Sequence, residues 1–82
     1  MAKLKRLSSP QIIKIIHEFG FFFVSVRGSL AKLRREAAGC PPQVLTVPLH
    51  RELAPGTVQA VYRQALRFIP EDKLRPRFYG SD

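Results

Sequence analysis

The sequence predicts an α+β domain in which two helices cover one face of a three-stranded antiparallel sheet and leave the other face open. Three observations carry that prediction. Apolar residues recur at helical spacing in two stretches, after Pro10 and after Pro55, and at alternate positions between them. Glycine and proline fall where the period changes. The chain has 82 residues, enough for one domain with one modest core.

The first helix begins at Ser8-Ser9-Pro10, with Ser9 as the cap and Pro10 at the first helical position. Ile12, Ile13, Ile16 and Phe19 form its apolar stripe, and Gly20 ends it. From Phe21 the period becomes that of a strand. Phe22, Val24 and Val26 point to one side and Phe23, Ser25 and Arg27 to the other. Gly28-Ser29 makes the turn. In the next strand Ala31 and Leu33 share one face, while Leu30, Lys32, Arg34 and Glu36 share the other. Ala38-Gly39-Cys40-Pro41-Pro42 is a loop, and Val44 to Val47 is a third strand closed by Pro48. Pro55-Gly56-Thr57 opens the second helix, whose stripe is Val58, Val61, Tyr62, Ala65 and Leu66, with Gln59, Arg63 and Arg67 on the wet side. Pro70-Glu71-Asp72 starts a short third helix that Pro76 is expected to stop. The order is α-β-β-β-α with a short C-terminal helix. One domain spans 1–82, with its core at about 8–74 and a loose tail at 75–82.

Fourteen Lys and Arg against six Asp and Glu leave a net charge of +8 and a pI near 10.6. Such a surface attracts polyanions: nucleic acid, acidic membrane or an acidic protein. The basic residues recur inside the apolar patterns, so a folded module presents them. The longest apolar run, Phe19 to Val26, is broken by Gly20 and Ser25 and is too short to span a bilayer. Met1 to Leu7 is basic but lacks the apolar region and cleavage site of a secretory leader. One cysteine, Cys40, makes no internal disulfide, which fits a reducing cytosol. HExxH, CxxC and P-loop patterns are absent, which excludes zinc proteases, metal fingers and nucleotide kinases. Neither a metal nor a cofactor is expected.

The most informative stretch is the second strand. Lys32 and Arg34 project from the open side of the sheet, with Arg27 at the preceding turn and Arg35 nearby. With about five phosphates neutralised on a single strand, binding weakens roughly 100-fold between 50 and 200 mM salt. Phe21 or Phe23 is a candidate base-stacking ring, although an aromatic in a strand more often fills the core. His17 sits at the edge of the first helix's stripe and reads as a surface histidine. His50, in a loop beside Arg51 and Glu52, is better placed for proton transfer or a phosphate contact. Cys40 lacks a ligand partner and reads as an incidental loop thiol.

Gly20-Phe21, Arg27-Gly28-Ser29, Lys32-Leu33-Arg34, Thr46-Val47-Pro48, His50, Glu52-Leu53 and Pro55-Gly56-Thr57 follow one another in an order and spacing that resembles the HicA-type toxins. The similarity runs from about Ser8 to about Leu74. It implies a fold like the double-stranded-RNA-binding domain, and a small cytoplasmic, metal-independent endoribonuclease that cleaves mRNA. It also implies a HicB-type antitoxin, encoded beside the toxin, that covers the basic sheet face. Arg27, Ser29, Lys32, Arg34 and Arg35 would then hold RNA, with Ser29 shaping the turn and His50 a candidate second proton carrier.

One departure bears on the chemistry. In the family the turn reads Gly-Ser-His and that histidine is catalytic, whereas here Gly28-Ser29 is followed by Leu30. Leucine neither takes the 2′-hydroxyl proton nor gives one to the leaving 5′-oxygen, and such groups contribute about 10² to 10⁴ in rate. The resemblance therefore implies a chain close to inactive as written. A deliberate or selected inactivation is the favoured explanation. The alternative is a natural variant that kept RNA or antitoxin binding, in effect a non-catalytic RNA-binding module of the same fold. Milder departures are a long Glu36 to Gln43 connection and the absence of glycine near Ala65-Leu66-Arg67.

Overall fold

A computed structural model describes residues 2–36 and 38–81. In chain order its elements are β1 (Ala2–Leu4), α1 (Ser9–Glu18), β2 (Phe22–Arg27), β3 (Leu30–Arg35), β4 (Gln43–Pro48), α2 (Pro55–Ala65), α3 (Glu71–Phe78) and β5 (Tyr79–Ser81). β2, β3 and β4 form an antiparallel sheet with β3 in the middle. Strict alternation in β3 buries Ala31 and Leu33 completely, and their cross-strand partners Val47 and Leu45 are buried with them. Ile12 and Ile16 of α1 and Val58 and Ala65 of α2 close the same core. The helices thus cover one sheet face and leave the other open, as the α-β-β-β-α reading requires.

Several local features differ from expectation. Ser8, not Ser9, caps α1: the Gln11 side-chain carbonyl accepts the Ser8 backbone N–H at 2.8 Å, half of a capping box. Ser9 is buried instead, and its hydroxyl ties α1 to the segment after β4. It donates toward the carbonyls of Pro48 and His50 and accepts the His50 N–H at 2.7 Å.

β2 is also not a simple alternating strand. Phe23 pairs with Leu33 and Ser25 with Lys32, so Val24 forms a bulge. Paired residues share a face. Phe22, Ser25 and Arg27 therefore lie on the open side with Arg34, Lys32 and Leu30, while Phe23 and Val26 follow Leu33 and Ala31 toward the helices. One extra residue flips everything before it relative to the expected pattern.

Of the C-terminal segment expected to be loose, residues 75–81 lie in a helix and a strand, and Asp82 lies outside the described residues. α3 runs through Pro76, because Leu74 and Phe78 on either side of it are both fully buried. Two buried apolar side chains, at about 1.5–3 kcal/mol each, offset the ~3 kcal/mol that an internal proline costs. The Lys5 ammonium donates to the Pro76 carbonyl at 3.3 Å. β5 then pairs antiparallel with β1, Ala2 opposite Ser81 and Leu4 opposite Tyr79. The Lys5 N–H donates to the Phe78 carbonyl at 2.8 Å, which carries the chain from this ribbon into α3.

Candidate nucleic-acid interface

The open face is made by alternate residues of three strands. Arg27 lies opposite Leu30 and Leu30 opposite Pro48; Ser25, Lys32 and Thr46 form the next row; Phe22, Arg34 and Val44 the row beyond. The β2 to β3 connection is the two-residue turn Gly28-Ser29, with Gly28 at φ +63°, the sign that a type II′ hairpin needs at its first central residue. The Ser29 carbonyl accepts the Leu49 N–H at 2.6 Å, which fixes the turn to the end of β4. This places Leu30 at the head of β3 with 47% of its surface in solvent, an apolar side chain flanked by Arg27 across the ladder and Lys32 two residues on. Arg34 makes a 3.4 Å ion pair with Glu36 between largely exposed side chains, which is weak and leaves its charge available.

The other candidate residues are not gathered on this face. Arg35 turns to the helix side. Its Nε donates to Gln43 Oε1 at 2.7 Å, and its two terminal nitrogens donate to the Phe19 and Phe68 carbonyls at 3.0 and 2.8 Å. Its guanidinium carbon stands 4.8 Å from the Phe21 ring centre. The fork is consumed in joining β3 to the end of α1 and to the turn after α2. Gly20 makes room for it: at φ +95° the residue is left-handed, and a Cβ there would meet the Arg35 stem at 3.3 Å. His50 is exposed, but its backbone is held by Ser9, and the depression it borders is otherwise lined by Ser9, Pro10, Leu49 and Arg51. None of those residues belongs to the rows that carry Leu30 and Lys32.

Of the aromatic candidates, Phe21 is fully buried against Phe68, and Phe23 points to the helix side of an edge strand. The ring on the open face is Phe22, 62% exposed, with His17 edge-on at 5.3 Å and the His17 Nδ1 3.0 Å from the Phe21 carbonyl oxygen. Phe22 was hidden from sequence reasoning by the bulge at Val24. Beside it, Gly20, Val24, Arg34 and Glu36 complete a shallow depression. Cys40 is exposed in the loop between β3 and β4.

Among the described residues no three His, Cys, Asp or Glu come together as metal ligands, and no helix is long and apolar enough to cross a membrane. The fold and this face define a small basic α+β protein that presents three cations, an aromatic ring and two exposed aliphatic side chains, Leu30 and Val44, on the open side of its sheet. The family model described as the HicA toxin of bacterial toxin-antitoxin matches residues 9–66, from the start of α1 to the turn after α2, and the chain belongs to that family. It is a toxin of a toxin–antitoxin system with a cognate antitoxin as its partner. No curated protein and no solved structure matched the chain.

Proposed function

We propose that this toxin works on RNA: its open sheet face grips a single strand of mRNA in the cytoplasm, and a HicB-type antitoxin neutralises it by covering that face. Arg27, Lys32 and Arg34 hold phosphates, Ser29 shapes the turn, and Phe22 offers a ring on which a base can stack. In the active form a histidine at position 30 takes the 2′-hydroxyl proton as the 2′-oxygen attacks phosphorus. The 5′-oxygen leaves with a proton from water or from the imidazolium formed at position 30, because His50, the second carrier expected from the sequence, stands off this face. Lys32 and Arg34 stabilise the charge that develops on the phosphoryl oxygens. The observation that supports this reading is the row of cations on the open face, Arg27, Lys32 and Arg34, with the half-exposed Leu30 among them at the head of β3.

As written the chain binds but does not cut, because leucine carries no proton. The test compares this chain with Leu30→His on a long unstructured RNA in EDTA, read on a denaturing gel. Cleavage by the histidine form alone, faster by about 10² to 10⁴, supports the reading. Binding of RNA by both forms with cleavage by neither supports the second reading, a non-catalytic RNA-binding module, which the leucine also favours.

A further inference from the structure

The three-stranded sheet has two outer edges, and they are treated differently. Along β4 the Gln64 side chain of α2 closes the edge: its carbonyl accepts the Thr46 N–H at 3.1 Å and its amide donates to the Thr46 carbonyl at 3.4 Å. Along β2 no strand lies beside the edge among the described residues. The six large hydrophobic side chains left exposed among those residues are all on this sheet, and four of them, Phe22, Phe23, Val24 and Val26, are on β2. An apolar edge with unpaired N–H and C=O groups is a template for another strand and is normally blunted by charge or cover.

We infer that the β2 edge is a docking site for an extended strand of the cognate antitoxin, which adds to the sheet as a fourth strand. The inference rests on the family's antitoxin. It extends the proposed function from covering a face to pairing with an edge. The alternative occupant, a second copy of this chain, meets two obstacles. Each copy carries +8, so two copies repel where an acidic partner is attracted. In a symmetric antiparallel pairing of β2 with itself, the centre of the strand falls between Val24 and Ser25. The two bulges would then meet there and interrupt the ladder twice, whereas an unbulged incoming strand meets only the one at Val24.

The residues of β2 also state what the incoming strand must look like. On the helix side it meets Phe23 and Val26, so its inward residues are apolar. On the open side it meets Phe22 at one end and Arg27 at the other, which calls for an apolar residue and an acid respectively. The depression formed with Phe22, Val24 and Arg34 accepts a further side chain of that strand.

The experiment uses this chain with the antitoxin encoded beside it. In the free chain the outward amides of 22–27 exchange rapidly; in the complex they become protected. Val26→Lys, which sets a charge among the apolar side chains of this edge, weakens antitoxin binding at least about tenfold while the free chain still unfolds cooperatively in urea. Exchange at 22–27 that is the same in the complex, or Val26→Lys binding within twofold of the parent, overturns the inference. A dimer of the free chain that Val26→Lys abolishes overturns it in favour of a second copy. Failure of the antitoxin to bind at all is a different result, and sinks the partner reading on which the inference stands.

Discussion

Arg35 separates a structural cation from an RNA contact, and Arg35→Met tests it. Methionine keeps the apolar stem and removes all three donors, leaving the Phe19 and Phe68 carbonyls and the Gln43 side chain to find water. Hydrogen bonds from a charged donor contribute about 1.5–3 kcal/mol when fully enclosed, and about 1 kcal/mol each is appropriate for a partly solvated group. The stacking on Phe21 adds about 0.5–1 kcal/mol. The expected loss is about 3–4 kcal/mol, against about 4–12 kcal/mol of total stability for 82 residues. For a domain of this size that lowers Tm by about 12–30 °C. Thermal and urea unfolding followed by circular dichroism measure it. Arg35→Lys recovers at most one of the three bonds and should fall about 1 kcal/mol short of the full loss. A loss below about 1 kcal/mol in Arg35→Met, accompanied by weaker RNA binding, would refute the reasoning and return Arg35 to the interface.

Three further expectations follow from the same geometry. Ser9→Ala leaves the Pro48 carbonyl and the His50 N–H without the hydroxyl they share, while the His50 carbonyl keeps the Ser9 backbone N–H at 3.3 Å, and should cost about 1–2 kcal/mol in urea unfolding; a loss within experimental error would show that the hydroxyl is replaceable. The Tyr62 phenol is held above its usual pKa of 10.0, chiefly by burial and then by the Glu71 carboxylate that accepts its hydrogen bond. The folded state therefore binds this proton more tightly than the unfolded chain, so the stabilisation is complete below pH 10 and is lost as pH rises above it. The stability gap between the parent and Tyr62→Phe should hold steady up to about pH 10 and narrow above it, and a gap that stays constant above pH 10 speaks against the linkage. With only Arg27, Lys32 and Arg34 on the open face, single-stranded RNA affinity should fall about 20-fold from 50 to 200 mM salt, less than the roughly 100-fold expected from five contacts. A fall of 100-fold or more in a salt titration would mean that cations off this face also meet phosphate.

The parts of the fold that the sequence disclosed are those where burial is one-sided and periodic. Ala31 and Leu33 alternate with Lys32 and Arg34 over an unbroken strand, and Val58, Val61, Tyr62 and Ala65 keep helical spacing. What was hidden depends on partners distant in the chain. The bulge at Val24 adds one residue to a run in which every side chain from Phe22 to Val26 is aromatic, β-branched or small, and Ser25, after the bulge, does not betray the change of face before it. Pro76 looks like a stop because its local cost is visible and the burial of Phe78 is not. Three-residue strands such as β1 and β5 are too short to show a period at all. At the site, the charges of Lys32 and Arg34 were legible from alternation. Arg35 was not, because the carbonyls that engage it come from residues 16 and 33 positions away.

The ribbon joining residue 2 to residue 81 has a bearing on the order of assembly. Closing a loop of about 80 residues costs roughly 2 kcal/mol more in chain entropy than closing one of about ten. Neighbouring strands such as β2 and β3 meet across a turn of two residues. The hairpin and the helices flanking it can therefore condense first, and the end-to-end ladder closes last. On a ribosome, Tyr79 emerges only after the whole sheet has left the tunnel. The cationic rows of β2 and β3 can therefore form before the clasp between β1 and β5 closes.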